Sequence, residues 1–174
     1  MIYSMGKNLE PKFFLIMGVS GCGKTAVGKA VAENLGWDFF DADDFHPTAN
    51  IDKMAKGIPL NDSDRLLWLV LLHGLITFCL KEGRHGVLAC SALKESYRQI
   101  LLSDNEEVQI VFLKGSYNLI QSRMSLRTDH YMKPAMLQSQ LDTLEEPTDA
   151  LNIDISLSID DIVERIVAAV MLPN

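Results

Sequence analysis

The chain has 174 residues, which is long enough for one domain with a single hydrophobic core. Hydrophobic residues make up 48% of it and charged residues 22%, and this balance excludes disordered and fibrous proteins. The net charge of −7 argues against nucleic acid as a partner, because a phosphate backbone requires a basic protein face.

Cysteine usage and hydropathy predict a cytoplasmic protein. The three cysteines, Cys22, Cys79 and Cys90, form no CxxC pair or zinc spacing, which is typical of free thiols in a reducing compartment. The most apolar stretch, 66–80, contains polar interruptions and is too short to span a bilayer. We therefore expect a buried helix there and no membrane partner. Residues 1–12 are expected to form a flexible arm.

Strands and helices are predicted to alternate along the chain. Short apolar runs predict strands at 13–17, 38–41, 86–90, 108–113 and 153–157. Helical spacing and caps predict helices at 24–35, 47–56, 64–81, 92–102, 116–126, 134–144 and 160–170. Ser91 and Ser158 are the expected N-caps of the fourth and last helices. This alternation predicts a single α/β domain, with a five-stranded parallel sheet and helices on both faces.

A phosphate-binding motif directly follows the first strand. The pattern G-x-x-x-x-G-K-[ST] is complete in Gly18, Val19, Ser20, Gly21, Cys22, Gly23, Lys24 and Thr25. In such a P-loop the backbone N–H groups bind phosphate oxygens, the lysine reaches the β- and γ-phosphates, and the final hydroxyl binds Mg²⁺. A chance glycine-rich turn is the alternative, but the strand before it and the helix after it supply the required context. The motif predicts ATP as the nucleotide and Lys24 as a catalytic residue.

Carboxylates lie at the end of the second predicted strand. Asp41 and Asp43 are expected to point the same way, at the sheet edge where α/β proteins bind ligands. One can hold Mg²⁺, directly or through water, and the other can orient or deprotonate an attacking hydroxyl. The alternative is a turn that merely caps the next helix. Because the third strand ends in Cys90 rather than in the usual aspartate, we expect these two residues and Thr25 to position Mg²⁺.

Several cations and two histidines lie in or beside predicted loops and helix starts. The cations are Arg65, Lys94, Arg98, Arg123, Arg127 and Lys133. Positive charge stabilises a transferring phosphoryl group, and arginine can also grip a substrate carboxylate. His46 and His130 can hydrogen-bond a polyol. For each of the cations a solvated surface position is the alternative.

Five stretches of the chain resemble the gluconokinases, a branch of the shikimate-kinase-like P-loop kinases. They are residues 17–25, 41–47, 53–65, 90–98 and 140–147, in the order that the family shows. The P-loop is generic, whereas the stretches that end at Pro47, Arg65 and Arg98 are far more specific. The resemblance covers the chain from about residue 13 to its end. It implies ATP-dependent phosphorylation of D-gluconate to 6-phospho-D-gluconate.

The resemblance also implies an acceptor side for the site. Asp43 would meet the accepting hydroxyl, and Asp41 would support Mg²⁺. A flap of about 44–82 would cover the substrate, with Arg65 and Arg98 holding its carboxylate and hydroxyls. The residues predicted to bind substrate are Asp43, His46, Arg65, Lys94, Arg98 and His130.

A lid over ATP is implied at about 123–134. Arg127 would be its catalytic cation, and Arg123 would lie near the nucleotide. The lid departs from the usual family pattern, because Asp129 stands where a glycine is common before His130.

The sequence is also compatible with two other functions. It is compatible with a homodimer as well. A shikimate-type kinase would use the same phosphate machinery with a different pocket. A nucleotide-binding regulatory module would bind ATP without fast turnover, but Asp43 and Arg65 argue against it, because such a module does not need them.

Overall fold

The computed structural model describes residues 11–126 and 134–171. The strands in these ranges are β1 (Phe13–Met17), β2 (Asp38–Asp41), β3 (Gly86–Ala89), β4 (Val108–Lys114) and β5 (Leu151–Asp154). The helices are α1 (Lys24–Leu35), α2 (Thr48–Ala55), α3 (Asp62–Lys81), α4 (Glu95–Leu102), α5 (Tyr117–Ser125), α6 (Pro134–Thr143) and α7 (Ile159–Met171). A 3₁₀ turn, Ala42–Phe45, connects β2 to the segment before α2.

The five strands form one parallel sheet with the order β2-β3-β1-β4-β5. This confirms the predicted fold class. β1 lies in the centre, and all five of its residues are buried, because helices cover both faces of the sheet. The P-loop follows β1 and the 3₁₀ turn follows β2, so both begin at the carboxyl edge of the sheet, where open α/β folds bind ligands.

Alternate residues of the strands build two separate cores. Phe14 and Ile16 of β1 face the side that α1, α5, α6 and α7 cover. Phe13 and Leu15 face the side that α3 and α4 cover. The period of two in a strand therefore divides the buried side chains between the two layers of helices.

Several predicted element boundaries are wrong; β5 begins at Leu151 rather than at residue 153, and α3 at Asp62 rather than at residue 64. Helix α4 begins at Glu95 rather than at residue 92, and Ser91 is not its N-cap. Ala92 has a φ of 43°, which the helix cannot accommodate, so the chain reaches α4 through an irregular loop. Strand β5 ends at Asp154 rather than at residue 157, because the Asp154 carboxylate accepts the backbone N–H of Ser156 and closes a turn.

Helix α3 is less buried than the sequence predicted. One face packs into the core through Trp68, Leu69 and neighbouring apolar residues. The other face is about half exposed, and we call it the apolar face of α3; it consists of Leu66, Leu67, Val70, Leu71 and Phe78. By length and composition alone this 20-residue helix would be able to cross a membrane, but its other side forms part of the protein core.

Candidate active site

The P-loop takes a conformation that requires glycine. Gly18 has a φ of 147°, and a Cβ there would lie 2.8 Å from the Cys22 Sγ and 2.9 Å from the carbonyl oxygen of Leu113. Gly21 has a φ of 83°, and a Cβ there would collide with the side chain of Met124. The loop therefore curls tightly against β4 and α5, and both positions depend on glycine.

Side-chain contacts hold the P-loop at two points. The Lys24 ammonium donates to the carbonyl oxygen of Val19 at 3.1 Å, which keeps its charge over the loop. The Ser20 N–H donates to the side-chain oxygen of Gln140 at 2.7 Å. The α1 helix begins at Lys24, so its positive N-terminal end adds to the attraction for phosphate.

Asp41 links the P-loop to the predicted catalytic carboxylate. Its Oδ2 accepts the Thr25 hydroxyl at 2.9 Å, and its Oδ1 accepts the backbone N–H of Asp43 at 3.1 Å. This second bond caps the 3₁₀ turn and fixes the backbone of Asp43, whose side chain is 87% exposed. The structure thus brings together Thr25, Asp41 and Asp43, although Asp43 lies in the 3₁₀ turn rather than on an extended strand, where the sequence predicted that it would point the same way as Asp41.

His46 supports the same turn from the other side. Its ring stacks on Trp68 at a centroid distance of 4.4 Å, and its side chain is 7% exposed. Its Nε2 lies 3.8 Å from the Asp43 carboxylate, and Trp68 itself donates to the carbonyl oxygen of Ala42 at 2.7 Å. Burial lowers the pKa of His46 below its ordinary value; Asp43 opposes this shift and Arg65 adds to it. The Nδ1 atom is buried and has no hydrogen-bond partner among the described residues.

Cys90 contributes no charge where many P-loop proteins have an aspartate. Its thiol is buried directly after β3, and burial raises its pKa to about 12. It remains protonated at neutral pH. Its thiol is close enough to Lys24, Asp41 and Asp43 for their charges to act on it, so the negative charge at this edge comes from the carboxylates after β2.

A second polar cluster joins the start of α3 to α4. The Lys94 ammonium lies 3.0 Å from both carboxylate oxygens of Asp62, and the Tyr97 hydroxyl donates to the same carboxylate at 2.5 Å. The Arg65 guanidinium donates to the Tyr97 oxygen at 3.3 Å and lies over its ring, as Lys94 does. These contacts lower the pKa of Asp62, the Tyr97 hydrogen bond most of all. Two of the predicted substrate cations, Arg65 and Lys94, therefore share one site.

Arg98, another predicted substrate cation, faces into the protein. It is 2% exposed, and its Nη1 donates to the carbonyl oxygens of Ala92 and Leu93 at 2.9 and 3.2 Å. Its Nε and Nη2 donate to Glu95 at 3.1 and 2.7 Å. In this structure the guanidinium holds the loop before α4 rather than standing beside Arg65 and Lys94.

The predicted nucleotide and lid residues are only partly described. Arg123 donates to the carbonyl oxygen of Ile155 at 2.5 Å, and its charge acts on the Cys22 thiol, so it lies beside the P-loop. Arg127 and His130 lie outside the described residues. Among the residues that are described, no three His, Cys, Asp or Glu side chains gather to hold a metal ion.

Four residues of the site were not predicted from the sequence: Asp62, Trp68, Tyr97 and Gln140. Three of them lie inside stretches that carry the family resemblance, which marks the segment but assigns no role. Trp68 lies on α3 at a helical spacing that resembles ordinary core, and its stacking on His46 follows from the tertiary structure.

Comparisons with known proteins show the family to which the chain belongs. A sequence model described as shikimate kinase matches residues 20–168. The chain is 43% identical to the probable gluconokinase of Mus musculus, over 92% of this chain and 96% of the relative. It is also 43% identical to the thermosensitive gluconokinase of Escherichia coli, over 91% and 87%. The crystal structure of a gluconokinase from Sinorhizobium meliloti matches with a TM-score of 0.82 at 39% identity, over 92% of each chain.

The parallel sheet, the P-loop and the acidic turn after β2 define a small-molecule kinase of the shikimate kinase type, which uses ATP as phosphoryl donor. Within this class, the relatives that match most of the chain at about 40% identity are gluconokinases. The chain belongs to the gluconokinase family.

Proposed function

We propose that the chain phosphorylates D-gluconate to 6-phospho-D-gluconate with ATP and releases ADP. The names of its relatives support this reaction. The structural observation that supports it most is that the acceptor side of the site has two parts, an acidic one and a cationic one. Asp41 links the acidic part to the P-loop by hydrogen bonds, because it accepts both the Thr25 hydroxyl of the P-loop and the backbone N–H of Asp43. Arg65 and Lys94 form a cationic group against the ring of Tyr97. Gluconate has a hydroxyl at one end and a carboxylate at the other, which suits such a division.

In the proposed reaction Asp43 meets the terminal hydroxyl of the substrate. The hydroxyl oxygen forms a bond to the γ-phosphorus, and the bond from that phosphorus to the bridging oxygen breaks, with its electron pair going to ADP. The Asp43 carboxylate orients the substrate hydroxyl and accepts its proton. Lys24 stabilises the charge that spreads over the transferring group. Arg65 and Lys94 fix the far end of the substrate, which keeps the reacting atoms aligned.

We propose that Thr25 and Asp41 hold the Mg²⁺ that accompanies ATP, directly or through water. Their hydroxyl and carboxylate oxygens lie 2.9 Å apart, and Mg²⁺ prefers oxygen ligands of this kind. When bound, the ion neutralises charge on the β- and γ-phosphates.

The flap, the lid and the location in the cell also belong to this proposal. The flap would span about 44–82, and its parts are joined because Lys53 of α2 contacts Asp64 of α3 at 2.6 Å. The lid would span about 123–134 and supply Arg127 and His130. The net charge of −7 supports a chain without a nucleic acid partner, and the free buried cysteines support the cytoplasm.

We propose a homodimer that pairs the apolar face of α3 with the same face of a second copy. This face follows a helix about 30 Å long, and apolar patches of a few hundred Å² commonly mark protein interfaces. A Cβ built on Gly74 would meet nothing within 4 Å, so a partner helix can approach closely there. An antiparallel pair would place the acidic first turn, with Asp62, near Lys81 of the other copy.

The dimer is tested by the mass of the protein in solution. Val70→Glu places a charge in the apolar face of α3 and is expected to give a monomer in light scattering. Ile159→Glu, on an exposed position of α7, is the matched control and is expected to leave the dimer intact. A monomeric wild-type chain at about 50 μM would contradict the proposal, since stable interfaces associate well below this concentration.

The reaction is tested by ADP release across a panel of acceptors: gluconate, shikimate, glycerate and nucleosides. We expect turnover with gluconate that depends on Mg²⁺. The match to the shikimate kinase model favours a related acid kinase as the second candidate, and turnover of shikimate without gluconate would establish it instead. Asp43→Asn is expected to lower kcat by roughly 10²- to 10⁴-fold with little change in the KM for ATP. Asp44→Asn, the exposed neighbour, is the control and is expected to keep normal activity.

A further inference from the structure

The apex of the P-loop is held by a side chain that no motif identifies. The Ser20 N–H donates to the Gln140 Oε1 at 2.7 Å, and the Gln140 Nε2 donates to the Ser20 hydroxyl at 3.2 Å. One amide group thus binds both the backbone and the side chain of Ser20, although the two residues are 120 positions apart in the sequence. This paired contact needs an acceptor and a donor side by side, which glutamine supplies.

The position of Gln140 is itself fixed by packing. Leu137, one turn earlier on α6, is fully buried in the core that covers the P-loop side of the sheet. Leu141 and Leu144 pack partly against the same core. The α6 helix therefore presents the amide from a rigid support, and the contact to Ser20 is not a loose surface hydrogen bond.

The P-loop is rich in glycine around Ser20, although Val19 and Cys22 beside it are buried. Its glycines at 18, 21 and 23 all have positive φ values, so its backbone can take many other conformations when nothing restrains it. A restraint at residue 20 limits this freedom before ATP arrives. Binding then costs less ordering of the loop, which is the usual effect of preorganisation.

We propose that Gln140 is a positioning residue that preorganises the P-loop for the phosphates of ATP. It acts through Ser20 and does not touch the reacting atoms. Because Gln140 lies on α6 and not on the flap, its loss should weaken the binding of ATP and not the binding of the acceptor. This inference depends on ATP binding by the P-loop and not on which acid is the acceptor, so an error in the proposed substrate would leave it intact.

The test compares Gln140→Leu with Gln138→Leu on the same helix. Gln138 is exposed and bonds to Asp142, so its variant controls for the loss of a glutamine from α6. We expect Gln140→Leu to raise the KM for ATP about tenfold, the effect of losing one or two hydrogen bonds, with the KM for the acceptor unchanged. Gln138→Leu is expected to match the wild type in both constants.

Gln140→Glu keeps the test decisive if the leucine variant folds poorly, and a double mutant tests the contact with Ser20 itself. Gln140→Glu is nearly isosteric and still accepts the Ser20 N–H, but it adds a negative charge beside the phosphates. It is expected to raise the KM for ATP with an effect that weakens at high salt. Ser20→Ala combined with Gln140→Leu should cost less than the two single changes together, because both remove the hydrogen bond from the Gln140 Nε2 to the Ser20 hydroxyl.

Calorimetry on folded protein measures the Kd of a non-hydrolysable ATP analogue. This Kd must rise by the same factor as the KM for ATP. The proposal is overturned if Gln140→Leu binds the analogue as tightly as Gln138→Leu does. It is also overturned if the KM values for ATP and acceptor rise by the same factor, since a purely structural role would weaken both.

Discussion

The Thr25 hydroxyl and the Asp41 carboxylate are joined by a 2.9 Å hydrogen bond between the last residue of the P-loop and the last residue of β2. The two segments are neighbours at the sheet edge, although β3 lies between β2 and β1 in the sheet. Asp41 also accepts the N–H of Asp43, so one carboxylate orders both the nucleotide side and the acceptor side. A change at Asp41 should therefore affect the metal requirement and the chemistry together.

Asp41→Asn is expected to raise the Mg²⁺ concentration needed for half-maximal activity and to lower kcat, each by about 10- to 100-fold. Asparagine keeps an oxygen that can accept the Thr25 hydroxyl but loses the charge that attracts the cation. Steady-state rates across a Mg²⁺ titration measure this. Asp52→Asn, an exposed change on α2, should leave the titration curve where it is. An unchanged Mg²⁺ requirement in Asp41→Asn would speak against the metal role.

Asp62→Asn is expected to lower the KM for gluconate by about two- to fivefold without changing kcat. Asp62 binds Lys94 and Tyr97, the groups that a substrate carboxylate would use. These hydrogen bonds must break before the substrate can bind there. Exposed ion pairs of this kind contribute little, so the effect is limited to a few fold. Glu82→Gln, at the other end of α3, is the control. A higher KM would mean instead that Asp62 itself accepts hydroxyls of the substrate.

His46 is expected to make the folded state less stable as the pH falls below about 6.5. The unfolded imidazole titrates near that value, whereas burial holds the pKa of the folded one below it. Between the two pKa values the unfolded chain binds a proton that the folded chain does not, so the free energy of unfolding falls with decreasing pH. One proton limits the slope to about 1.4 kcal/mol per pH unit.

The measurement for His46 is the melting temperature of wild type and His46→Phe between pH 7.5 and 5. Phenylalanine keeps the stack on Trp68 but cannot take up a proton. The difference between the two curves isolates His46, because other titrating groups are common to both proteins. We expect the wild type to lose more stability than the variant toward pH 5. Parallel curves would show that the folded imidazole titrates like the unfolded one.

The parts of the fold and site that follow from the sequence are those with local causes. The P-loop is one contiguous motif, and β1 is a run of apolar residues that the sheet buries on both faces, so the bounds of β1, α1 and β2 are as predicted. The irregular path at Ala92 was not predictable, because it depends on carbonyl groups that Arg98 reaches from the next helix. The pairing of Gln140 with Ser20 likewise arises only when distant elements pack together.

Arg98→Met is expected to destabilise the protein by about 3 kcal/mol, which corresponds to a fall of roughly 6–12 °C in melting temperature for a chain of this size. Methionine fills similar volume but leaves the buried carbonyl groups of Ala92 and Leu93 without their donor. Arg84→Met is the matched control, because Arg84 forms an exposed pair with Asp38 that contributes little to stability. Urea and thermal unfolding of both variants measure the difference. If Arg98→Met keeps the wild-type stability but raises the KM for gluconate, the guanidinium serves the substrate, as the family resemblance implies, rather than the loop.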